Sequence, residues 1–174
     1  MFAVERFGVE PDLLCLGKAM GGGVMPIGAV LGTERAMGFD DLSTGSTWSW
    51  LPAACAAALA TIEAFEREPV LENVLALEAT AERCLAELFA KYDRIGDVRA
   101  IGCFIAIEFV RDRKTKARES DLMERVNAGC ITRGLLVDLS TTSFNLQPSL
   151  VMPVEVLERA FAILDEAIAA ASER

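Results

Sequence analysis

One lysine in this sequence stands where a side-chain amine could do chemistry. Lys18 follows a short apolar run, Leu13 to Leu16, and precedes a cluster of three glycines at positions 21–23. Because glycine lets a backbone bend and approach a ligand closely, we predict that Lys18 lies in a ligand-binding loop at the end of a buried strand. Apolar surroundings would lower the pKa of the amine and make it a nucleophile toward carbonyls. The alternative is an ordinary solvated loop lysine, which describes most lysines in proteins.

The motifs around Lys18 resemble those of a known family. They are Phe7-Gly8-Val9 with Pro11-Asp12-Leu13, Gly17-Lys18-Ala19-Met20-Gly21-Gly22-Gly23, and Pro26-Ile27-Gly28-Ala29-Val30. Together they resemble the cofactor-lysine segment of the class III aminotransferases, enzymes of fold type I that use pyridoxal 5'-phosphate. The resemblance implies that Lys18 forms the covalent bond to the cofactor and is the catalytic residue. A P-loop is excluded, because Ala19 stands where that motif requires Ser or Thr.

A second cofactor contact is implied just before an alanine-rich helix that Pro52 is suited to begin. In the family, a threonine at this point and its neighbours bind the cofactor phosphate of the other subunit of a dimer. Thr47 matches that threonine, and Ser46 precedes it. Trp50 and the residue after it depart from the family's usual Gly-Asn, and the alternative role for Thr47 is a helix cap. The helix itself is apolar on nearly all sides, so we expect it to be buried or to lie at a subunit contact.

Composition limits the other possible functions. The 174 residues carry a net charge of −9 and include no histidine. Such a surface does not attract nucleic acid or anionic membranes, and the commonest metal ligand and general base are missing, so we expect no such partner and no metal. The five cysteines have no paired spacing, and most fall in apolar stretches, which is typical of free buried thiols in the cytoplasm.

Hydrophobic periodicity predicts the remaining elements. Early in the chain we expect a strand over 27–31 and a short helix over 33–37, with Thr33 as its cap. The helices expected later in the chain span 69–92, 121–133 and 154–171. The strands expected there span 97–100, 103–110, 135–139 and 144–147. The charged run 111–118 is expected to form a solvated turn. The predicted fold class is α/β, the C-terminal part of a fold type I enzyme. Residues 1–69 would be a remnant of the large cofactor-binding domain, and residues 70–174 a small domain with an antiparallel sheet.

One departure from the family bears on the substrate. The family carries an arginine, separated by two residues from a Pro-Pro-Leu-like motif, that often grips the substrate carboxylate. Pro148-Ser149-Leu150 matches the motif, and Asn145 occupies the arginine position. Asparagine can donate hydrogen bonds to a carboxylate but supplies no charge, which favours an amine substrate without a carboxylate at this point. The alternatives are that the chain has drifted or that the change is harmless.

The resemblance therefore implies transfer of an amino group from an amine or amino acid to a 2-oxo acid, in a cytoplasmic homodimer. It also implies that the family's carboxylate partner for the pyridine nitrogen, its stacking aromatic residue and its phosphate loop lie upstream of Met1. We accordingly expect a truncated enzyme with little activity alone. Two alternatives remain. One is a non-catalytic fragment or interaction module that pairs with itself or with a separate N-terminal chain, and the other is an unrelated α/β binding domain.

Overall fold

The computed structural model describes residues 1–38, 47, 49–140 and 143–172, and the chain divides into two compact units, Met1–Pro69 and Val70–Arg174. The elements of the first unit are α1 (Ala3–Arg6), β1 (Leu13–Leu16), a 3-10 helix (Lys18–Gly21), β2 (Ala29–Gly32), α2 (Glu34–Met37) and α3 (Pro52–Arg67). The two strands form an antiparallel hairpin. Thr33 caps α2 as predicted, because its Oγ1 accepts a hydrogen bond from the backbone N–H of Ala36 at 3.3 Å.

The strand before Lys18 exists, but the prediction that it is buried was wrong. Leu13 is 51% exposed and Cys15 is exposed, whereas Leu14 and Leu16 are half-buried. An apolar sequence indicates a strand, but burial requires a full layer against it, and the described residues leave Leu13 and Cys15 exposed.

Helix α3 begins at Pro52 as predicted. It buries only Ala54 and Ala58, and Leu59 is 62% exposed. Of the two possibilities that the sequence allowed, burial among the described residues is not observed, and a subunit contact stays a prediction. Apolar residues in β1 and α3 do not by themselves indicate where burial occurs, because an apolar surface can be covered by a part of the protein that periodicity cannot identify.

The second unit is an antiparallel sheet packed against three helices. Its elements are α4 (Val70–Lys91), β3 (Ile95–Ile101), β4 (Phe104–Asp112), β5 (Ala117–Arg118), α5 (Ser120–Thr132), β6 (Asp138–Leu139), β7 (Phe144–Leu146) and α6 (Val154–Ser172). The strand order is β3-β4-β7-β6, with β5 also paired to β4, and every pairing is antiparallel. This confirms the antiparallel sheet and the central position of β4.

The core of the second unit lies between the sheet and the helices. Phe109 of β4 meets Phe144 of β7 edge to face, with ring centroids 6.0 Å apart. Fully buried side chains from α4, α5 and α6 complete the core, among them Leu77, Val126, Leu164 and Ile168. Cysteines contribute as well: Cys84, Cys103 and Cys130 are buried free thiols, as predicted, and burial raises the pKa of Cys130 to about 11.

The charged run 111–118 does more than form a solvated turn. The Arg113 guanidinium donates hydrogen bonds to the backbone carbonyls of Phe89, Tyr92 and Ile95, at 2.5, 2.9 and 2.8 Å. It also stacks on the Phe89 ring, 4.0 Å from the centroid. Arginine thereby satisfies carbonyls at the C-terminal end of α4 and holds the helix against β3.

Strand β3 begins two residues before the strand that the sequence predicts, and a bulge at Gly96 interrupts its pairing with β4. The register shifts between Ile95, which faces Phe109, and Asp97, which faces Glu108. A Cβ at Gly96 would lie 2.4 Å from Cγ1 of Val110, so only glycine fits there.

Among the described residues, no helix combines the length and the apolar character that crossing a membrane requires.

Candidate functional site

Lys18 occupies a strained position at the end of β1. Its backbone lies in the left-handed region, with φ 50°, and it opens the 3-10 helix directly after the extended Gly17. A non-glycine residue in this region costs about 1–2 kcal/mol and is held there only by the surrounding structure. The Lys18 side chain is exposed, so the expected apolar surroundings were wrong for the described residues. Lys18 is instead exposed at the first position of the 3-10 helix.

The glycines after Lys18 allow this turn to pack directly on α3. Gly21 is buried and Gly22 has φ +61°. A Cβ at Gly22 would lie 2.7 Å from Oγ1 of Thr61, whose hydroxyl donates to the carbonyl of Ala57 at 2.8 Å. The close approach explains why glycine is needed here, and it fixes the turn that carries Lys18.

The segment before α3 holds the other predicted cofactor contacts. Thr47 lies in a turn and its side chain is exposed, whereas Ser46 falls outside the described residues. Trp50 adopts φ 63° and is 89% exposed. Leu51 is the N-cap of α3 and supplies no side-chain hydrogen bond to the first turn. The side chain of the N-cap residue therefore satisfies none of the backbone N–H groups in the first turn of α3.

Asn145 lies in β7 of the second unit, paired with Ala106 of β4 and Asp138 of β6. The hydroxyl of Ser143 donates to Asn145 Oδ1 at 2.9 Å, and the Ser140 and Ser143 hydroxyls are 2.8 Å apart. Because Oδ1 accepts this bond, the carboxamide is oriented, and its NH2 group is the end that does not meet Ser143. Asparagine at this position is therefore a fixed donor rather than a charged group.

The sequence proposed Lys18, Thr47 and Asn145 as site residues but did not indicate their local geometry. The positive φ angles of Lys18 and Trp50, the contact of Gly22 with Thr61 and the serines that orient Asn145 all come from the structure. The sequence did hold one signal of the left-handed backbone at Trp50, because glycine is the usual residue for that conformation and the family has glycine there.

The described residues include no group of three or more His, Cys, Asp or Glu side chains able to hold a metal ion.

Comparison with known proteins identifies the family. A family model described as aminotransferase class-III matches residues 1–168. The chain is 38% identical over 170 residues to the (R)-1-hydroxy-2-aminoethylphosphonate ammonia-lyase of Vibrio splendidus, a match that covers 97% of this chain and 36% of the lyase. It is 36% identical over 172 residues to the 5-aminovalerate aminotransferase DavT of Pseudomonas aeruginosa, covering 95% of this chain and 39% of DavT.

The fold is likewise that of solved transaminases. Taurine:2-oxoglutarate aminotransferase from Bifidobacterium kashiwanohense, solved in complex with pyridoxal phosphate and glutamate, superposes with a TM-score of 0.92 at 26% identity. That superposition covers 100% of this chain and 41% of the aminotransferase, so the chain spans about two fifths of the length of the relatives that it matches. The chain belongs to the class III aminotransferase family and has part of its fold type I architecture.

Proposed function

We propose that this chain supplies the lysine segment and the small domain of a pyridoxal-phosphate enzyme that transfers an amino group from an amine or amino acid to a 2-oxo acid. The observation that carries the proposal is the exposed amine of Lys18 on a left-handed residue, within the segment that the family model matches. The proposed reaction is the one named for relatives such as DavT, an aminotransferase, and the taurine enzyme, which was solved with the cofactor and glutamate.

The residues around Lys18 fit a covalently held cofactor. Gly22 approaches Thr61 so closely that a Cβ would fill the space, which fixes the turn and leaves the Lys18 amine facing outward. Pyridoxal phosphate, when bound, supplies an electron sink for the carbon that carries the amino group. Lys18 would bond the cofactor through Nζ, and its freed amine would then move a proton from that substrate carbon.

Thr47 is proposed as a phosphate contact. Its exposed hydroxyl lies in the turn before α3, a helix whose N-cap residue supplies no side-chain hydrogen bond and whose dipole favours an anion. Ser46 is proposed as its neighbour in that contact. We also propose that the enzyme is a cytoplasmic homodimer in which this segment serves the partner's cofactor, and that the exposed Leu59 face of α3 contributes to the subunit contact.

Asn145 is proposed as a substrate contact that favours amines without a carboxylate at this point. Its oxygen is engaged by Ser143, so it offers a neutral N–H donor where the family has a charged fork. Kinetics of an assembled enzyme with simple amines and with ω-amino acids test this. A strong preference for the amino acids contradicts the proposal.

We further propose that the chain alone has little transaminase activity, because it spans about two fifths of its relatives' length and the resemblance implies further cofactor contacts outside this stretch. The alternative is a non-catalytic module that associates with itself or with a separate N-terminal chain. Elimination of ammonia is a second candidate reaction, favoured by the 38% identity to the Vibrio lyase. Ammonia released without a 2-oxo acid acceptor would distinguish elimination from transfer.

Titration with pyridoxal phosphate tests the role of Lys18. The full chain is titrated while absorbance is followed, reduced with borohydride, digested and mapped by mass spectrometry. We expect saturable binding with label on Lys18, loss of that label in Lys18→Ala, and no loss in the matched surface variant Lys114→Ala, whose lysine is also exposed. Label spread over several lysines and unchanged in Lys18→Ala contradicts the proposal.

A further inference from the structure

The sheet of the second unit carries polar residues on the face that turns away from its helices. Phe144 and Leu146 of β7 are buried in the core, so Asn145 between them lies on the opposite face. The strand pairing places Asn145 opposite Ala106 of β4 on one side and opposite Asp138 of β6 on the other. Residues directly opposite each other in antiparallel strands point to the same face, so Asp138 and Asn145 are neighbours there.

Asp138 is the charged residue nearest to Asn145 in this row across the sheet. The next charge along the row is Arg99 of β3, which pairs with Ala106 and therefore lies two strand spacings from Asn145, or about 10 Å. Asp138 lies one spacing away, or about 5 Å. The Asp138 side chain is exposed and has no hydrogen-bond or ion-pair partner within the part of the chain that the structure describes.

The charge of Arg99 is already matched on the same face. Its guanidinium forms ion pairs with Asp97 and with Glu108, the latter at 2.7 Å. These three side chains together carry one negative charge, and Asp138 adds a second, so the face around Asn145 is negative. Where the resemblance places a cationic arginine, this chain therefore has a neutral carboxamide beside a carboxylate.

We propose that Asp138 is a specificity-determining residue for the proposed amino transfer and that it selects diamines as amino donors. One amine of such a substrate would react, and the ammonium ion at its other end would donate hydrogen bonds to the Asp138 carboxylate beside Asn145. The hydroxyl of Ser143, which donates to Asn145 Oδ1 at 2.9 Å, holds the neutral carboxamide next to this ion pair. A carboxylate or phosphonate at the same point is repelled by Asp138.

This inference deepens the proposed function and rests on the part of it that makes Asn145 a substrate contact. Its first test uses the full chain without cofactor, so the result does not depend on Lys18. Nuclear magnetic resonance follows the side-chain amide signals of Asn145 while butylammonium or butyrate is added at constant ionic strength and neutral pH. These two probes have the same chain length and opposite charge, and each represents the far end of a substrate.

We expect the Asn145 signals to shift at least about fivefold more per unit concentration with butylammonium than with butyrate. Asp138→Asn, which removes the charge and keeps the shape, should abolish this difference. The matched control Glu124→Gln, which removes an exposed carboxylate from α5, should retain it.

The second test uses kinetics of an assembled enzyme loaded with pyridoxal phosphate. The amino donors are 1,4-diaminobutane, butylamine and 4-aminobutyrate. Asp138→Asn should raise KM for the diamine about fivefold with little change in kcat or in the kinetics of butylamine, because the ion pair forms equally in the ground state and the transition state. Asp138→Lys should move the preference from the diamine to 4-aminobutyrate.

Three results would overturn the proposal. The first is an equal or larger shift of the Asn145 signals with butyrate, and the second is a preference for butylammonium that persists in Asp138→Asn. The third is a higher kcat/KM for 4-aminobutyrate than for the diamine that Asp138→Lys leaves unchanged. Failure of Lys18 labelling, or no transfer from any donor, would contradict the proposed function instead, and the resonance measurement on the full chain would still decide the role of Asp138.

Discussion

Replacing Gly96 by alanine should destabilise the second unit through one steric conflict. The added Cβ would lie 2.4 and 2.6 Å from the two γ-methyl groups of Val110, a side chain that is buried in the sheet. Overpacking a core in this way costs typically 1–3 kcal/mol, so we expect the free energy of unfolding to fall by about 2 kcal/mol. With a urea m-value of about 2 kcal/mol/M, the unfolding midpoint would shift by about 1 M.

A double-mutant cycle isolates the conflict. Val110→Ala alone removes two buried methyl groups and should cost about 2 kcal/mol. In the double variant the new methyl at position 96 occupies part of the vacated space, so the combined loss should be about 2 kcal/mol smaller than the sum. Urea unfolding followed by far-UV circular dichroism measures all four proteins.

Gly134→Ala provides the matched control for that cycle. Gly134 has φ +84°, and a Cβ there would meet nothing within 4 Å, so alanine should cost about 1 kcal/mol through the backbone alone. Adding Val110→Ala should not reduce the loss in free energy of unfolding that Gly134→Ala causes. Strict additivity of Gly96→Ala and Val110→Ala would refute the steric account and show that the glycine is needed for backbone conformation instead.

Three further predictions concern single side chains. Arg113→Lys should lower the free energy of unfolding by about 2 kcal/mol in urea denaturation, because lysine cannot donate to three carbonyls with a planar fork. Burial raises the pKa of Asp165, but hydrogen bonds from Lys91 and Tyr92 outweigh burial and hold that pKa below its ordinary value of 3.8. The resulting stabilisation is present above pH 3.8 and is lost as the pH falls through the lower folded value, so the chain and Asp165→Asn should converge in acid. The backbone of Trp50 is in the left-handed region, with φ 63°, which glycine adopts without strain and alanine does not. Trp50→Gly should therefore stabilise the start of α3 and slow amide exchange in its first turn about fivefold relative to Trp50→Ala.

Each of these predictions has a result that contradicts it. Arg113→Lys with an unchanged urea midpoint would mean that the carbonyls find other donors. A constant difference between the chain and Asp165→Asn from neutral pH down to strong acid would show that the carboxyl does not titrate with a lowered pKa. Equal exchange in Trp50→Gly and Trp50→Ala would mean that the turn carries no strain.

The sequence was most informative where local chemistry decides structure. The helices α4, α5 and α6 were predicted to within about two residues at each end, because their apolar stripes face a core inside the same unit. Thr33 and Pro52 marked their helix starts for equally local reasons. The bulge at Gly96 and the anchoring by Arg113 were not predicted, because both depend on residues that meet only after the sheet has formed.

The sequence named candidate site residues but not their geometry. Lys18 and Thr47 were chosen from runs of residue types, within the stretch that the class III family model matches. Exposure of Lys18 and of β1 could not be foreseen, because burial depends on what lies against a surface. The roles of Lys18, Thr47, Ser46 and Asn145 remain proposals for the experiments described above.

The strand order of the second unit also sets an expected order of folding. The β3–β4 hairpin closes between Ile101 and Phe104, and β6–β7 closes between Leu139 and Phe144, so both form from near neighbours in the chain. Joining them requires Ile107 to meet Phe144 across a connection that contains α5. Loop closure over this separation costs about 2 kcal/mol more than closing the β3–β4 turn. We therefore expect two local hairpins to form early and the β4–β7 pairing to limit the folding rate, with α5 docking in the same step.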